Sequence, residues 1–234
     1  MNYVITGASR GIGYDLALLL ASDPGNRVLV LSRDAAKLEL LAKELDGVSG
    51  AGYFSYLPYD LSRPDASALL SAVSQMGGVD VVVNNAGALV NKPFVELSDA
   101  DWRQVFDTNF FGPVALIRTL VPLLREGRQS HIVNISSMGG FQGSSKFRGL
   151  SAYSASKAAL ANLTECLAEE LAEEGIAVNC LALGAVQTEM LAEAFPGYQA
   201  PLSSADMAGF IAYFATQGQR FFNGKVLPVS LSTP

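Results

Sequence analysis

Short apolar runs alternate with longer amphipathic stretches along almost the whole chain. Several of the apolar runs are nearly continuous in Val, Ile and Leu, which is typical of parallel strands covered by helices on both faces. The apolar runs are residues 3–6, 27–31, 53–57, 79–83, 131–135, 176–181 and 226–229. The stretches between them predict helices over residues 14–22, 35–45, 66–75, 101–124 and 154–174.

This regular alternation predicts a doubly wound, Rossmann-type α/β fold with right-handed crossovers. Seven parallel strands, with helices on both faces of the sheet, fit a chain of 234 residues. No repeat, low-complexity tract or linker divides the chain, so residues 1–234 are expected to form a single domain. Pro228 lies in the last predicted strand, and since proline donates no backbone hydrogen bond, we predict this strand at a sheet edge.

Composition limits the possible partners and location of the protein. Half of the residues are hydrophobic and 16% are charged, which is typical of a folded chain. A net charge of −6 disfavours a surface for nucleic acid or anionic membranes. No apolar run approaches the roughly 20 residues that span a bilayer, and the first strand begins at once, so no leader is expected. We therefore expect a cytoplasmic protein without nucleic-acid or membrane partners.

The rarity of Cys and His excludes several kinds of chemistry. Cys166 and Cys180 form neither a Cys-x-x-Cys pair nor a disulfide framework, so we expect two inert packing thiols in a reducing compartment. His131 is the only histidine, which excludes metal sites and catalytic triads that need two. Because His131 stands just before an apolar strand, it is predicted at the surface or at a strand end. No metal is expected.

The first strand runs into a glycine-rich segment at residues 6–13, Thr-Gly-Ala-Ser-Arg-Gly-Ile-Gly, and then directly into a helix. Glycines let the backbone turn sharply and approach a pyrophosphate, while the helix N-terminus offers unpaired N–H groups to an anion. The glycine spacing differs from the general dinucleotide fingerprint, and such turns also occur for purely structural reasons. Its position nevertheless favours a nucleotide site built from Gly7, Ser9, Arg10, Gly11, Ile12 and Gly13.

The end of the second strand indicates which dinucleotide would bind. An acidic residue at this point usually binds a free ribose 2′-hydroxyl, whereas a cation binds a 2′-phosphate. Ser32 stands at the strand end, and Arg33 and Arg10 could converge on one phosphate. Asp34 weakens this preference slightly, although its side chain can cap the following helix. The pattern therefore favours NADP over NAD, with NAD a possible cofactor.

Further motifs follow in a fixed order, and together with the glycine loop they resemble the short-chain dehydrogenase/reductase superfamily over nearly the whole chain. They are Asp60-Leu61 after the third strand, Asn84-Asn85-Ala86-Gly87 after the fourth, Asn109, Ser137 at the end of the fifth strand, and Tyr153-x-x-x-Lys157 on a helix. The resemblance implies an oxidoreductase that moves a hydride between a nicotinamide cofactor and a carbonyl compound or secondary alcohol. It also implies a small-molecule substrate.

The resemblance assigns catalytic roles to four of these residues. Tyr153 would exchange a proton with the substrate oxygen, Ser137 would hydrogen-bond to that oxygen, and Lys157 would hold the nicotinamide ribose. Asn109 would hold a water molecule that links Lys157 to solvent, or it is only a structural residue that bends its helix. The implied cofactor contacts are Asp60, Leu61, Asn85, Ala86, Gly87, Tyr153, Lys157, Val186 and Thr188, in addition to the glycine loop and Arg33.

Elementary chemistry agrees with these assignments. Tyr153 and Lys157 are four residues apart, so they share one helix face, although this spacing also occurs by chance. A tyrosine pKa near 10 makes a poor base, and a nearby ammonium group is expected to lower it. Ser136 and Ser137 point to opposite faces of their strand, so only one can face the substrate. The resemblance selects Ser137, and Ser136 is the alternative.

Two segments near the expected substrate pocket depart from the usual pattern of the superfamily. The separation of 16 positions between Ser137 and Tyr153 is a few more than usual, so residues 139–151 should form a longer loop at the pocket. This loop contains Phe141, Lys146, Phe147 and Arg148. Its cations either recognise an acidic or phosphorylated substrate or are simply solvated. Leu183 replaces a usual proline and is expected to loosen the next turn, and the short segment 189–201 predicts a small lid.

The C-terminal half also bears on assembly. Residues 229–234 lack the acidic-Gly-Gly ending that supports subunit contacts in many relatives. The predicted helix 154–174 carries small residues beside an apolar stripe, and the equivalent helix of relatives packs against its copy. We therefore expect a homodimer or homotetramer, unless the stripe only covers the sheet.

Proteins with this fold also have other functions. A catalytically silent NADP-binding sensor or scaffold is the main alternative, since fold alone does not determine function. Such proteins usually lose the Tyr, Lys or Ser that this chain retains. Isomerases and epimerases of extended type have another glycine spacing and a longer substrate domain. Chains with these motifs act on fatty-acyl intermediates, steroids, sugars, pterins and xenobiotic ketones, and in either direction.

Overall fold

The computed structural model describes residues 1–47, 52–124 and 130–231. The main sheet contains β1 (Asn2–Thr6), β2 (Arg27–Ser32), β3 (Tyr53–Pro58), β4 (Val81–Asn84), β5 (Ser130–Ser137), β6 (Ile176–Leu183) and β9 (Val226–Val229), and β7 (Val186–Gln187) pairs with β8 (Leu202–Ser203). The helices are α1 (Gly11–Ala21), α2 (Ala35–Asp46), α3 (Ala66–Met76), α4 (Asp99–Phe106), α5 (Gly112–Leu120), α6 (Ser151–Glu170), α7 (Glu189–Ala194) and α8 (Ser204–Gln217). The atypical C-terminal ending extends into residues 232–234, which lie outside the described residues.

All seven strands of the main sheet are parallel, in the order β3-β2-β1-β4-β5-β6-β9. The predicted doubly wound α/β fold, with seven parallel strands in one domain, is therefore confirmed. The chain leaves β1 towards one sheet edge and returns at β4 to build the other half. β9, which contains Pro228, lies at an edge as predicted. Ligands of such sheets bind where the strand order reverses, at the carboxyl ends of the strands.

Strand side chains alternate between two apolar layers. Tyr3 and Ile5 of β1 pack in the layer that α1, α2 and α8 cover, whereas Val4 packs in the layer covered by α3, α5 and α6. Val81 and Val83 of β4 belong to the first layer, and Val82 belongs to the second. Strands that are buried on both faces in this way explain the continuous apolar runs of the sequence.

The apolar stripe of α6 covers the sheet, as the simpler of the two interpretations expected. Leu160 and Leu171 are buried, and Leu167 packs against the layer beneath α6. The small residues Ala155 and Ala158 lie on the exposed face of the helix. Leu163 and Leu167 of the same stripe are only half-buried, so part of their surface remains exposed.

The long helix predicted over residues 101–124 is present, but it is not regular throughout. α4 and α5 are joined by a π-helical turn, Asp107–Phe111, and a 3₁₀ turn, Val121–Leu123, follows α5. Asn109 lies within the π-helical turn, where its side chain bonds to a neighbouring loop. A wide turn of this kind often marks a functional position in a helix. The apolar periodicity of residues 101–124 predicted a helix but did not indicate this wide turn.

Of the two positions predicted for His131, the strand end is confirmed, since it is the second residue of β5, and the surface is wrong. β5 begins one residue earlier, so His131 is fully buried beneath α8. Its Nδ1 lies 3.1 Å from the Ala215 carbonyl oxygen and its Nε2 lies 3.0 Å from Nδ2 of Asn179. A neutral ring that donates at Nδ1 and accepts at Nε2 satisfies both contacts. Burial lowers the pKa of His131 to about 4.

The two cysteines differ in environment. Cys180 is buried in β6, where burial raises its thiol pKa to about 11, and the predicted packing role is confirmed. Cys166 is exposed on α6, so the same prediction is wrong for this residue, because it lies on the solvent side of the helix. None of the described helices combines the length and apolarity needed to cross a membrane.

Candidate active site

A cavity of about 480 Å³ opens at the carboxyl ends of the strands, over the point where the strand order reverses. Nearly all of the sequence-predicted site residues line it. They are Gly7, Ser9, Arg10, Gly11, Ile12, Arg33, Asp60, Leu61, Asn85, Ala86, Gly87, Ser137, Tyr153, Lys157, Val186 and Thr188. Gly13 and Asn109 lie behind this wall and support it.

The glycine loop requires glycine at each of its three positions for a different steric reason. Gly7 has a positive φ of 74°, and a Cβ atom there would lie 2.7 Å from the Ala86 Cα. Gly11 has a φ of 56°, which L-residues rarely adopt. A Cβ atom at Gly13 would lie 2.4 Å from the Gly7 carbonyl oxygen. The loop therefore packs tightly against the segment after β4 and leaves its outer side open to the cavity.

The first turn of α1 fits the anionic part of a dinucleotide. Arg10 precedes the helix in an extended conformation and its side chain makes no capping hydrogen bond. The first N–H groups of a helix have no partner within the helix, and its dipole favours an anion at this end. The glycine loop has no room for Cβ atoms, and the N-terminus of α1 beside it has no side-chain cap. Both features suit the binding of a pyrophosphate.

Charged residues also border the cavity where β2 and β3 end. Arg33 is exposed and lines the cavity beside Ser32, whereas Asp34 caps α2 by accepting a hydrogen bond of 3.1 Å from Lys37 N, as predicted. Burial opposes ionisation of Asp60, but hydrogen bonds from Ser62 and the nearby Arg33 outweigh it and hold the pKa of Asp60 below its usual value.

Arg10 has a partner that the sequence did not indicate. Its Nη1 lies 2.8 Å from Oε1 of Glu193, on the short helix α7. Both side chains are substantially exposed, so this ion pair is weak and exchangeable. The predicted second cation of the phosphate site is thus paired with α7 in this structure.

Tyr153 and Lys157 lie in the first two turns of α6, which begins three residues earlier than predicted. Lys157 Nζ lies 5.9 Å from the centre of the Tyr153 ring and donates a hydrogen bond of 2.7 Å to the Ile135 carbonyl. Burial lowers the pKa of Lys157 to about 8. Burial also raises the pKa of Tyr153, and a hydrogen bond with Ser137 partly opposes this effect. The expected lowering of the tyrosine pKa is therefore not found, because desolvation of the hydroxyl dominates.

The two neighbouring serines have different environments. Ser137 hydrogen-bonds to the side chain of Tyr153 within the cavity. Ser136 is buried, and its Oγ donates a hydrogen bond of 2.8 Å to the carbonyl of Lys157, which fastens α6 to β5. Of these two serines, Ser137 is therefore the one that acts on the Tyr153 hydroxyl group.

Asn109 is fully buried and its side-chain amide is bonded within the protein. Its Oδ1 accepts from Ala88 N at 2.7 Å, and its Nδ2 donates to the Ala88 carbonyl and to Ser156 Oγ, each at 2.9 Å. A Cβ atom at Gly87 would lie 3.7 Å from both Asn109 Oδ1 and Lys157 Nζ. The π-helical turn therefore fixes the segment after β4 against α6, close to Lys157.

Thr6 and Asn134 position the site, although the sequence assigned a functional role to neither side chain. Thr6 Oγ1 accepts hydrogen bonds of 3.0 Å from the backbone N–H groups of Asn85 and Ala86, which joins the two central loops. In the layer below, Asn134 accepts from Asn84 at 2.8 Å and donates to Thr164 at 2.9 Å. The only signal available in the sequence was a polar residue within an apolar strand.

The turn after β6 is not loosened by Leu183, contrary to expectation. β6 continues through Leu183, which aligns with Ser137 of β5 and Val229 of β9. Gly184 N then donates to the Val229 carbonyl at 2.9 Å. Pairing on both sides holds this strand end in place of a proline. Thr188 caps α7, its Oγ1 accepting from Leu191 N at 3.3 Å.

The wall beside Tyr153 is built mainly from apolar residues that no motif indicated. Several come from α7 and the segment after it, which form the small lid predicted for residues 189–201. The lining residues overlooked by the sequence reasoning include Leu89, Met138, Leu150, Met190, Leu191, Ala194, Phe195 and Tyr198. Sequence alone gives no signal for them, since their shared property is only their position in space.

Comparisons with known proteins agree with this architecture. A family model described as short chain dehydrogenase matches residues 2–199. A 3-oxoacyl-[acyl-carrier-protein] reductase of Staphylococcus aureus is 31% identical over 238 residues, covering 97% of this chain and 95% of that protein.

Two solved structures from Brucella melitensis are similar over 97% of this chain. A 3-ketoacyl-(acyl-carrier-protein) reductase complexed with NADH is 26% identical, with a TM-score of 0.86 and 96% of its chain covered. A 3-oxoacyl-[acyl-carrier protein] reductase with bound NAD is 30% identical, with a TM-score of 0.83 and 88% of its chain covered. The likeness therefore extends over the sheet, its helices and the cavity.

Proposed function

The chain belongs to the short-chain dehydrogenase family, and we propose that it interconverts a carbonyl compound and a secondary alcohol, with NADP(H) as the preferred cofactor. Membership of the family makes it an oxidoreductase that uses a nicotinamide cofactor. The observation that carries the finer proposal is the meeting of Ser137, Tyr153 and Lys157 at one wall of the cavity.

In the proposed mechanism, Tyr153 is the proton-transferring residue. When bound, the nicotinamide supplies a hydride to the carbonyl carbon during reduction and accepts it during oxidation. Tyr153 donates its phenolic proton to the substrate oxygen, and Ser137 donates a hydrogen bond to the same oxygen as negative charge develops there. The Lys157 ammonium then stabilises the phenolate that remains.

The glycine loop and the segment after β4 would hold the cofactor. Gly7, Ser9, Gly11 and Ile12 line the cavity beside the N-terminus of α1, where the pyrophosphate would lie, and Gly13 allows the loop to pack closely. Asp60 and Leu61 would border the adenine, and Asn85, Ala86 and Gly87 the nicotinamide ribose. Val186 and Thr188 would face the carboxamide group. We propose Asn109 as a positioning residue, because its hydrogen bonds join Ala88 to Ser156, the neighbour of Lys157 in α6.

The preference for NADP rests on the end of β2. Asp34 uses its carboxylate to cap α2, so the side chain at the cavity edge is the cation of Arg33. A guanidinium group suits a 2′-phosphate through paired, charge-assisted hydrogen bonds. The two Brucella structures contain NADH and NAD, so this chain would differ from them in its cofactor.

A silent NADP-binding sensor or scaffold is the alternative function. It would retain the glycine loop but would not require a serine, a tyrosine and a lysine to share one wall of the cavity. That arrangement favours an enzyme. We further propose that residues 1–234 act as one unit in the cytoplasm, as two unpaired cysteines suit a reducing compartment.

A cofactor-oxidation screen tests the proposed function. The protein would be mixed with a panel of ketones and aldehydes, and consumption of NADPH and of NADH would be followed in parallel. We expect NADPH consumption that depends on the carbonyl compound and exceeds that of NADH. Tight NADPH binding with no consumption for any compound would favour the sensor, and faster consumption of NADH would contradict the cofactor preference.

A further inference from the structure

The charged residues of the cavity are confined to its cofactor end. Arg33 and Asp60 stand at the ends of β2 and β3, and Arg10 belongs to the glycine loop. Glu189 also faces that loop, since its Oε2 lies 3.6 Å from the position of a Cβ atom at Gly11. Of the described residues that line the cavity, only Lys157 brings a charge to the substrate end, and the proposed mechanism already uses it.

Two aromatic rings from different segments meet at the substrate end. Phe147 belongs to the long loop after β5, and Phe195 directly follows α7. Their ring centres are 5.9 Å apart and the planes are inclined by 64°, which is the edge-to-face arrangement favoured by aromatic pairs. Both rings line the cavity together with Leu150 and Met190. We call Phe147 and Phe195 the aromatic pair.

The segment after β4 holds both halves of this pair in place. Asn91 Nδ2 donates a hydrogen bond of 2.9 Å to the carbonyl oxygen of Ala194, the residue before Phe195. Lys92 N donates a hydrogen bond of 3.1 Å to the carbonyl oxygen of Gly149, two residues after Phe147. Gly149 has a φ of 87°, and a Cβ atom there would collide with Oδ1 of Asn91. The aromatic pair is thus fixed by hydrogen bonds outside the cavity.

The cations of the long loop point away from the cavity. Lys146 Nζ donates 2.6 Å to the Phe141 carbonyl within the same loop, and Arg148 is exposed. Of residues 146–148, the one that lines the cavity is Phe147. The alternative of solvated charges is therefore favoured over recognition of an acidic or phosphorylated substrate. The longer loop serves instead to bring an aromatic ring to the substrate end.

We infer that the substrate is an uncharged ketone with an apolar ring beside its carbonyl group, packed against Phe147 and Phe195, or the corresponding secondary alcohol. This inference rests on the proposed function. A carboxylate next to the reacting carbon would lose its hydration without gaining a partner, whereas a ring would replace water against two aromatic faces. The aromatic pair would then determine specificity without taking part in proton transfer.

Matched substrates test the charge requirement. Methyl phenylglyoxylate and phenylglyoxylate share the ring and the ketone but differ in the carboxylate, and 2-butanone lacks the ring. With NADPH in excess, we expect kcat/KM for the methyl ester to exceed that for the other two compounds by about tenfold or more. A preference for phenylglyoxylate, or for 2-butanone, would overturn the inference and leave the proposed function intact. If none of the three compounds is reduced, both the substrate inference and the proposed function would be overturned.

Variants test the aromatic pair itself. Phe147→Ala and Phe195→Ala should each lower kcat/KM for the ring ester by about tenfold, mostly through KM, and change 2-butanone reduction by less than about threefold. Phe141→Ala is the control, since Phe141 lies in the same loop but does not line the cavity. Phe147→Arg should shift the preference towards phenylglyoxylate. Equal losses for all three substrates, or no shift with Phe147→Arg, would contradict the inference.

Discussion

Single residues of this protein show how burial alters the chemistry of a side chain. His131 lies in the sheet, and Lys157 and Tyr153 lie in a helix that covers it. Burial lowers the pKa of His131 and Lys157 and raises the pKa of Tyr153, so it favours the neutral form of each side chain. Two of these shifts belong to the proposed proton-transfer site. The shift of His131 belongs to the core, where it makes the stability of the protein depend on pH.

His131 should make the protein less stable in mild acid. Its pKa is about 4 in the folded state, below the usual 6.5, so the unfolded chain binds more protons between these values. Stability is therefore fully present above pH 6.5 and is lost as the pH falls towards 4. Urea unfolding of the protein and of His131→Gln should show that the advantage of histidine shrinks by about 2–3 kcal/mol between pH 7 and 4.5. An advantage that does not change with pH would contradict this prediction.

Arg33 should determine the choice between NADPH and NADH. Removing its charge in Arg33→Gln deletes a charge-assisted contact with the 2′-phosphate, so the Kd for NADPH should rise about tenfold or more. The Kd for NADH should change by less than about twofold. Fluorescence titration measures both, and Arg118→Gln, on the exposed side of α5, is the control. Equal weakening of the two cofactors would contradict the assignment.

Residue-level chemistry was predictable where a motif fixed both residue type and position. Gly7, Tyr153 and Lys157 lie at the cavity as expected. The burial of His131 and the pairing of Arg10 with Glu193 were not predictable, because each depends on a partner far away in the sequence. The raised pKa of Tyr153 depends on desolvation, which a sequence pattern does not contain.

At the scale of elements, the short helix α7 connects the two ends of the cavity. Its N-terminus is capped by Thr188, Glu193 pairs with Arg10 of the glycine loop, and its last carbonyl binds Asn91. The same six-residue helix therefore touches the proposed phosphate site and carries one wall of the substrate end.

The ion pair between Arg10 and Glu193 should compete with NADPH. If Arg10 must leave Glu193 to bind the 2′-phosphate, Glu193→Gln should strengthen NADPH binding by about two- to fivefold, as expected for an exposed pair. NADH binding should change less, since it lacks this phosphate. Ala192→Gln, on the neighbouring exposed position of α7, is the control for a change of side chain alone. Unchanged or weaker NADPH binding by Glu193→Gln would contradict the competition.

Element boundaries followed the sequence closely where apolar periodicity was strong, as in β2 and α2. The helix predicted over residues 101–124 is present as a continuous helical segment from Asp99 to Leu123, but the π-helical turn within it was not predicted. α6 begins at Ser151, three residues before its predicted start, because the helix has no conventional side-chain cap at Leu150 to mark it. Caps were predictable where an acidic residue stands at the right spacing, as Asp34 does.

At the scale of the whole molecule, the parallel strand order places the motifs that follow the strands at the carboxyl ends of those strands. The parallel topology was predictable from alternating strands and helices, and this topology makes the carboxyl ends of β1, β4, β5 and β6 converge. The apolar substrate wall was not predictable, because its residues come from loops without periodicity. The sequence pattern therefore predicts the cofactor half of the site better than the substrate half.

We propose a homodimer or homotetramer, as the sequence led us to expect, and three exposed apolar side chains near α4 and α5 support it. Phe94, Val95 and Phe111 are 69%, 89% and 56% exposed, and a second copy would remove them from water. Light scattering should give a mass of two or four times 24.7 kDa. The double variant Val95→Asp and Phe111→Asp should shift the mass downwards, whereas Leu40→Asp, on exposed α2, should not. A mass of 24.7 kDa for the unaltered protein would contradict assembly.

The central claim is that the Tyr153 hydroxyl transfers the proton while the rest of the site holds the cofactor. Tyr153→Phe removes that hydroxyl alone, and Tyr198→Phe removes one from another cavity-lining tyrosine as the control. Using a ketone that the unaltered protein reduces, we expect Tyr153→Phe to lose turnover by about 100-fold or more, with the Kd for NADPH within about twofold and Tyr198→Phe nearly unaffected. Near-normal turnover by Tyr153→Phe would contradict the account.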